Sequence, residues 1–269
     1  MTVLGLAGDW HGNYAWAAAR VMSMGERGVR TVLHVGDFGI WPGRFGKKFL
    51  LDMEAVCARY GVHLWVTPGN HEDWGRLCKL WENDTRIDAQ GRLLPVDLSD
   101  HIRVLPRGHR WEIDGRSFVS LGGAPSVDYL APFRKQGETW WAEETVTATD
   151  VERTVSGGYA DVMIAHDAPD APYQVAEVAG IVAGNPVGWA DEALAYAAVG
   201  RRRMHEAFLG VAPRLFVHGH YHVAGQASFR LPGCAYETRI WSLAMDGTAG
   251  NVRLLDLETL RDPSPGFVT

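Results

Sequence analysis

Apolar and polar positions alternate in a regular way along the first part of the chain. The run Thr2 to Ala7 is apolar, of strand type, and ends in Gly8-Asp9. A helical stretch follows, with Ala17, Val21 and Met24 on one face. A second run, Thr31 to Val35, ends in Gly36-Asp37, and the next stretch sets Phe45, Phe49, Met53, Val56 and Tyr60 at helical spacing. A third run, His63 to Thr67, ends in Pro68-Gly69-Asn70-His71. This β-α-β-α-β rhythm, with about thirty residues per unit, predicts parallel strands joined by crossover helices.

The middle of the chain changes character. Arg103 to Leu105, Arg110 to Ile113 and Arg116 to Leu121 read as short strands, and Asp114-Gly115 is a two-residue hairpin signal. Further strand-type runs are Asp161 to Ala165, Arg214 to Val217, Thr238 to Leu243 and Val252 to Leu257. The Ala-rich segment from Pro169 to Gly210 predicts a helix from about Trp189. No repeat, low-complexity tract or linker divides the chain. The expectation is one α/β domain over residues 1–269 with mixed sheets, and a Pro- and Gly-rich tail, 262–269, that frays.

Composition narrows the class. The 269 residues are 46% hydrophobic and 22% charged, enough to bury a large core. A net charge of −6 argues against a dedicated nucleic-acid or membrane-surface binder, which carries a basic excess. Three scattered cysteines, Cys57, Cys78 and Cys234, have no CxxC spacing, which favours unpaired thiols and a cytoplasmic location. No signal peptide is visible and no run approaches the roughly 18 apolar residues of a spanning helix. A soluble protein is expected.

The chemistry lies where the apolar runs end. Asp9 and His11 follow the first run, Asp37 the second, and Asn70 and His71 the third. Asp161 to Ala165 leads into His166, and Arg214 to Val217 leads into His218-Gly219-His220-Tyr221-His222. Loops beyond the carboxyl ends of such strands converge on one rim. Any one of these clusters alone reads as a turn, a cap or a satisfied histidine; five of them, each placed directly after a strand, point to metal binding. Carboxylate, imidazole and amide oxygen without thiolate suit divalent ions. Manganese is the first expectation, with iron, zinc, cobalt and nickel also suited. Asp9, His11, Asp37, Asn70, His166, His220 and His222 make seven donors, enough for two ions if one carboxylate bridges. Two such ions clamp an in-line displacement at phosphorus and supply hydroxide at neutral pH.

Taken together, Gly8-Asp9-Trp10-His11-Gly12, Gly36-Asp37, Gly69-Asn70-His71-Glu72, His166 and Gly219-His220-Tyr221-His222 resemble the calcineurin-like metallophosphoesterase superfamily, in the family's order. The resemblance implies a four-layer β-sandwich of mixed sheets flanked by helices. It implies that Asp9, His11 and His222 hold one metal, that Asn70, His166 and His220 hold the other, and that Asp37 bridges them. It also implies that His71 contacts the phosphate and assists the leaving group, with Glu72 and Asp73 either orienting it or starting a helix. The arginines that protein Ser/Thr phosphatases of the superfamily carry beside the second and third motifs are replaced here by Phe38-Gly39 and Thr67-Pro68, which argues against a phosphoprotein substrate.

Trp10 and Trp41 are candidates for the pocket wall, where they could stack on a base, with core or rim packing as the alternative. Trp74 invites the same two readings. The stretch from Gly122-Gly123 through Ser126, Asp128 and Arg134 to Trp140-Trp141 resembles one found in bacterial and phage members; Gly122 and Gly123 suggest close backbone approach, and Arg134 is a candidate phosphate clamp. Arg201-Arg202-Arg203 reads as a solvated helix face, His34 as a core histidine and His218 as a buried neighbour of the ligands.

The expected activity is a phosphodiesterase acting on small phosphate esters or nucleotides through a metal-bridging hydroxide. A phosphomonoesterase, a nuclease of the same chemistry and a non-catalytic binding module stay open as alternatives. The expected partner is a small phosphate ester, with neither nucleic acid nor membrane, and no feature specifies an oligomeric state.

Overall fold

The computed structural model describes residues 2–82, 87–88 and 92–263; of the tail expected to fray, residues 264–269 lie outside the described residues. Two six-stranded mixed sheets stack face to face. In the first, β1 (Val3–Ala7), β2 (Thr31–His34), β3 (His63–Val66) and β5 (Ile102–Val104) run parallel. Antiparallel edges close it, with β12 (Val252–Asp256) beside β1 and β4 (Val96–Asp97) beside β5. The second repeats the scheme. Its parallel strands are β7 (Arg116–Leu121), β8 (Val162–Ala165), β9 (Leu215–His218) and β11 (Glu237–Ser242), with β6 (Arg110–Ile113) and β10 (Gly225–Arg230) antiparallel at the edges.

Continuous apolar runs form the central strands because both faces are covered. β8 and β9 are buried at every residue. Between the sheets lies a core that includes Leu6, Leu33, Phe118, Ile164, Val217 and Leu255. Outside the first sheet pack α1 (Tyr14–Glu26), α2 (Gly43–Tyr60) and α3 (Trp74–Trp81). Outside the second pack α4 (Ala148–Ser156), α5 (Ala176–Gly184) and α6 (Asp191–Val211). The order helix, sheet, sheet, helix is the four-layer sandwich expected. Asp114 and Gly115, at φ 47° and 72°, make the two-residue turn between β6 and β7, which needs positive φ at both positions.

Three sequence expectations shift. The helical stripe of α2 buries Gly46, Phe49, Met53 and Cys57, whereas Phe45 is 71% exposed; it starts the first turn, one position off the buried face. β10 was not anticipated because Gly225-Gln226-Ala227-Ser228 is too polar for an apolar run, yet it alternates between half-buried and exposed positions as an edge strand should. The two-residue β4 and the short α3, α4 and α5 were missed as well. All three cysteines are free, and among the described residues no helix is long and apolar enough to cross a membrane.

Phe118 is fully buried between the sheets while Phe45 faces water. Phe118→Ala is expected to cost about 3–5 kcal/mol in urea unfolding, the usual range for a buried phenylalanine. Phe45→Ala is expected to stay within about 0.5 kcal/mol of the parent, as surface changes do. Equal losses in the two variants would contradict this assignment of faces.

Candidate metal centre

Parallel strands deliver the seven candidate ligands to one rim. Asp9 and His11 leave β1, Asp37 leaves β2, and Asn70 leaves β3; His166 leaves β8, and His220 and His222 leave β9. Four of these residues hold a left-handed backbone: His11 (φ 44°), Asp37 (52°), His220 (68°) and His222 (61°). For residues with a Cβ this conformation costs about 1–3 kcal/mol each and persists only where the surroundings enforce it. Such strain concentrates at functional sites. Glycines make room for the carboxylates: a Cβ on Gly69 would lie 2.2 Å from Asp37 Oδ1, and one on Gly219 2.1 Å from Asp9 Oδ1.

The donors meet lone pair to lone pair. The Val35 carbonyl can only accept, so its 2.8 Å contact with His166 fixes the proton on Nδ1. The unprotonated Nε2 of the neutral ring then faces Asn70 Oδ1 at 2.8 Å and Asp37 Oδ1 at 3.5 Å. Asp246 Oδ1 likewise takes the Nδ1 proton of His11 at 3.0 Å, turning Nε2 toward Asp37 Oδ2 at 3.5 Å. That Asp37 oxygen is buried and, while the His11 ring is neutral, has no hydrogen-bond partner among the described residues. Asp9, with its Oδ2 3.3 Å from His222 Nε2, completes a group in which ligand atoms of Asp9, His11, Asp37 and His222 all lie within 4.8 Å of one another. The ring of His220 stands 5.0 Å from that of His166. Buried acceptors aimed at one another need a cation between them, so this donor set fits divalent metal.

The electrostatics agree. Burial alone would depress His166 and His11, but the charges and hydrogen bonds of Asp37, with help from Asp9, raise them to about 10 and about 9. Burial would raise Asp37, yet the facing histidines, His166 foremost, hold it well below the carboxylate range. At neutral pH both rings are therefore protonated in the metal-free protein.

Around the candidate ligands lie braces, of which the sequence singled out Glu72 and Asp73 but neither Asp246 nor Asn251. Glu72 is fully buried and accepts from the amides of Phe38 (2.6 Å), Gly39 (3.3 Å) and Gly69 (2.6 Å), tying the second motif loop to the third. Asp73, its neighbour, caps α3 by accepting from the Arg76 amide at 2.9 Å. Asn251 donates to the Asp9 carbonyl at 3.1 Å and accepts from the indoles of Trp10 (3.0 Å) and Trp16 (2.7 Å). Asp246 and Asn251 sit more than two hundred residues from the motifs they support, outside any local pattern, and Ser126 sits 56 residues from Asn70.

The remaining expectations sort as follows. Trp10 is fully buried, packed edge-on to His34 and against Phe38, with its indole on Asn251; that corrects its reading as a pocket wall, since no face is left for a substrate. Trp74 is also core, its indole donating to the Gly69 carbonyl at 2.8 Å. Trp41 is half-buried and lies against Gly12, beside His11. Arg134 donates to His71 Nδ1 at 2.6 Å and to the Thr139 carbonyl at 2.7 Å, and pairs with Asp128 at 2.8 Å. The amide of His71 donates to Asp37 Oδ1 at 2.9 Å, and burial, aided by Arg134, holds its ring below the ordinary imidazole value. Gly122 closely approaches Pro68. His34 and His218 are buried, and burial holds them near 3 and 4. Arg201 departs from the solvated face expected of it: its side chain is only 12% exposed and reaches toward Asp170 at 3.6 Å.

A family model described as calcineurin-like phosphoesterase matches residues 2–224. No curated protein matches the chain in sequence. Among solved structures, a dimetal phosphatase from Danio rerio is similar at 12% identity and TM-score 0.54, covering 94% of this chain and 91% of that one. A protein of Thermus thermophilus is similar at 10% identity and TM-score 0.55, covering 97% and 96%. At such identities these likenesses speak for the fold.

Raised histidines set a pH dependence for the metal-free protein. With folded values near 9 and 10 against 6.5 unfolded, His11 and His166 contribute stability that is fully present below pH 6.5 and is lost as pH rises through 9 to 10. Thermal melts in chelator are expected to fall across that window, and Asp37→Asn to flatten the fall. A slope unchanged by the substitution would contradict the assignment.

Proposed function

The chain belongs to the calcineurin-like phosphoesterase family, and from that premise we propose that it is a dinuclear-metal phosphodiesterase acting on small phosphate esters or nucleotides. One observation carries the reading. The carboxylate of Asp37 divides its oxygens between two groups of donors, Oδ2 toward His11 and Oδ1 toward His166, each at 3.5 Å. Asp9, His11 and His222 would hold one ion on the first side, and Asn70, His166 and His220 the other on the second. When bound, two divalent ions polarise a phosphoryl oxygen and make hydroxide available from water near neutral pH; manganese is the ion we favour.

The chain's own groups supply the rest. His71, fixed through its amide by Asp37, is placed to contact the phosphate and, once its ring carries a proton, to donate it to the leaving alkoxide. Arg134, held by Asp128 and the Thr139 carbonyl, is the guanidinium that takes a non-bridging phosphate oxygen. Trp41, lying against Gly12, offers a partly open aromatic face to the ester group. Unpaired cysteines fit a cytoplasmic protein.

Manganese-dependent hydrolysis of bis-p-nitrophenyl phosphate is expected to exceed that of p-nitrophenyl phosphate and to vanish in Asp37→Ala. His71→Ala is expected to keep its metal and lose about 10²–10⁴-fold in kcat, the scale of a positioned acid. Preference for the monoester would make the protein a phosphatase, and loss of metal in His71→Ala would remove the histidine from the acid role.

A further inference from the structure

An amide ligand has two ends, and only its oxygen can face a cation. Nothing intrinsic to Asn70 chooses between them, and a half-turn of the amide would present hydrogens instead. The choice is made from the second sheet. Asn70 Nδ2 donates to Ser126 Oγ at 2.9 Å, which leaves Oδ1 directed to His166. Ser126 is 1% exposed and is itself held, its amide donating to Glu144 Oε1 at 2.6 Å. Burial pushes the Glu144 carboxyl up to about 8, and its bonds from Ser126 and Trp140 pull the other way. The same Glu144 oxygen takes the indole proton of Trp140 at 2.9 Å.

The loop that carries Ser126 is closed at its base by one cation. Arg107 donates to the Gly122 carbonyl at 2.9 Å at the start of the loop and to those of Glu143 (2.8 Å), Glu144 (2.7 Å) and Thr145 (3.2 Å) at its end. Asp150 balances the guanidinium at 3.1 Å. Gly123 adds a backbone bond to the Pro68 carbonyl at 2.7 Å, two residues before Asn70. The loop is thus pinned to the strand end that it serves.

We infer that Ser126, backed by Glu144, is a positioning residue that locks the Asn70 amide with its oxygen toward Asp37 and His166, and that the second cation site depends on this lock while the first does not. The inference rests on the two-metal reading given above. Titration of the metal-free protein with manganese by calorimetry, paired with electron paramagnetic resonance of the loaded protein, tests it without any activity assay.

Wild type is expected to bind two ions and to show an exchange-coupled spectrum. Ser126→Ala is expected to keep the tight first ion and bind the second about 10–100-fold more weakly, the usual cost of losing a partner behind a ligand. Its spectrum should then be that of isolated manganese. Ser126→Thr, which keeps the oxygen, should restore the coupled spectrum. Glu144→Ala should resemble Ser126→Ala, and the double variant should be no worse than either, because the two act in series. Should Glu144→Ala fail to fold, Ser126→Ala, which removes one oxygen, decides alone. Two ions bound with wild-type affinity in Ser126→Ala would overturn the lock and leave the two-metal reading standing. Fewer than two ions in the wild type would instead overturn that reading and this inference with it.

Discussion

Everything at the rim follows from a buried carboxylate that has one amide donor, from His71, on one oxygen and none on the other. Asp37 is 1% exposed, and one of its oxygens meets no hydrogen bond. The imidazoles on either side cannot help in their neutral forms, because Val35 and Asp246 have already taken the other ring protons. Burying an anion against lone pairs is costly unless a positive charge is shared among them. The fold accepts this arrangement and enforces it. Four ligand residues keep a left-handed backbone, and glycine stands where any Cβ would collide with Asp9 or Asp37.

Such a site cannot hold itself open, so its neighbours do the holding. Glu72 gathers three amides from two loops and thereby sets the separation of Asp37 and Asn70. Asn251 bonds the Asp9 carbonyl and two indoles at once, so Trp10 serves the site from inside the core. Asp246 chooses the tautomer of His11. Each brace is a polar group whose partners are all within the protein, which is the condition under which buried polar networks rigidify.

How much of this was legible depended on whether the signal was local. Strands β1, β2, β3, β8 and β9 announced themselves because largely buried central strands are mostly apolar, and the candidate ligands stood out because they follow those runs directly. Where the pattern was two-sided, as in the edge strand β10, or short, as in α3, it failed. Phe45 shows the limit of periodicity: helical spacing names a stripe, and whether its first residue lies under the sheet depends on where the helix begins. Trp10 and Arg201 show another limit. Residue type suggested a rim aromatic and a solvated cation, and both turned inward toward partners from elsewhere in the chain, the Trp10 indole bonding Asn251 and Arg201 facing the Asp170 carboxylate. Glu144, Asp246 and Asn251 carried no motif at all, and Ser126 lay in a recognisable stretch without a role; their meaning exists only once the sheets are stacked.

That stacking is where fold and chemistry become one problem. Asp9, His11, Asp37 and Asn70 come from the first sheet, while His166, His220 and His222 come from the second. The gap between the two sets is therefore fixed by the side chains between the sheets, Phe118 and Leu33 among them, and by the few bonds that cross at the rim. The His220 amide on Asp9 Oδ2 at 3.0 Å and Asn70 on Ser126 are two of those bonds. A close-packed core tolerates little change in thickness, so it delivers the two half-sites at nearly constant separation. In the proposed two-metal site, a cation coordinated from both sides would link one sheet to the other and, binding only the folded arrangement, would add its free energy to folding. Metal binding would thus offset the strain kept at the backbones of the candidate ligands.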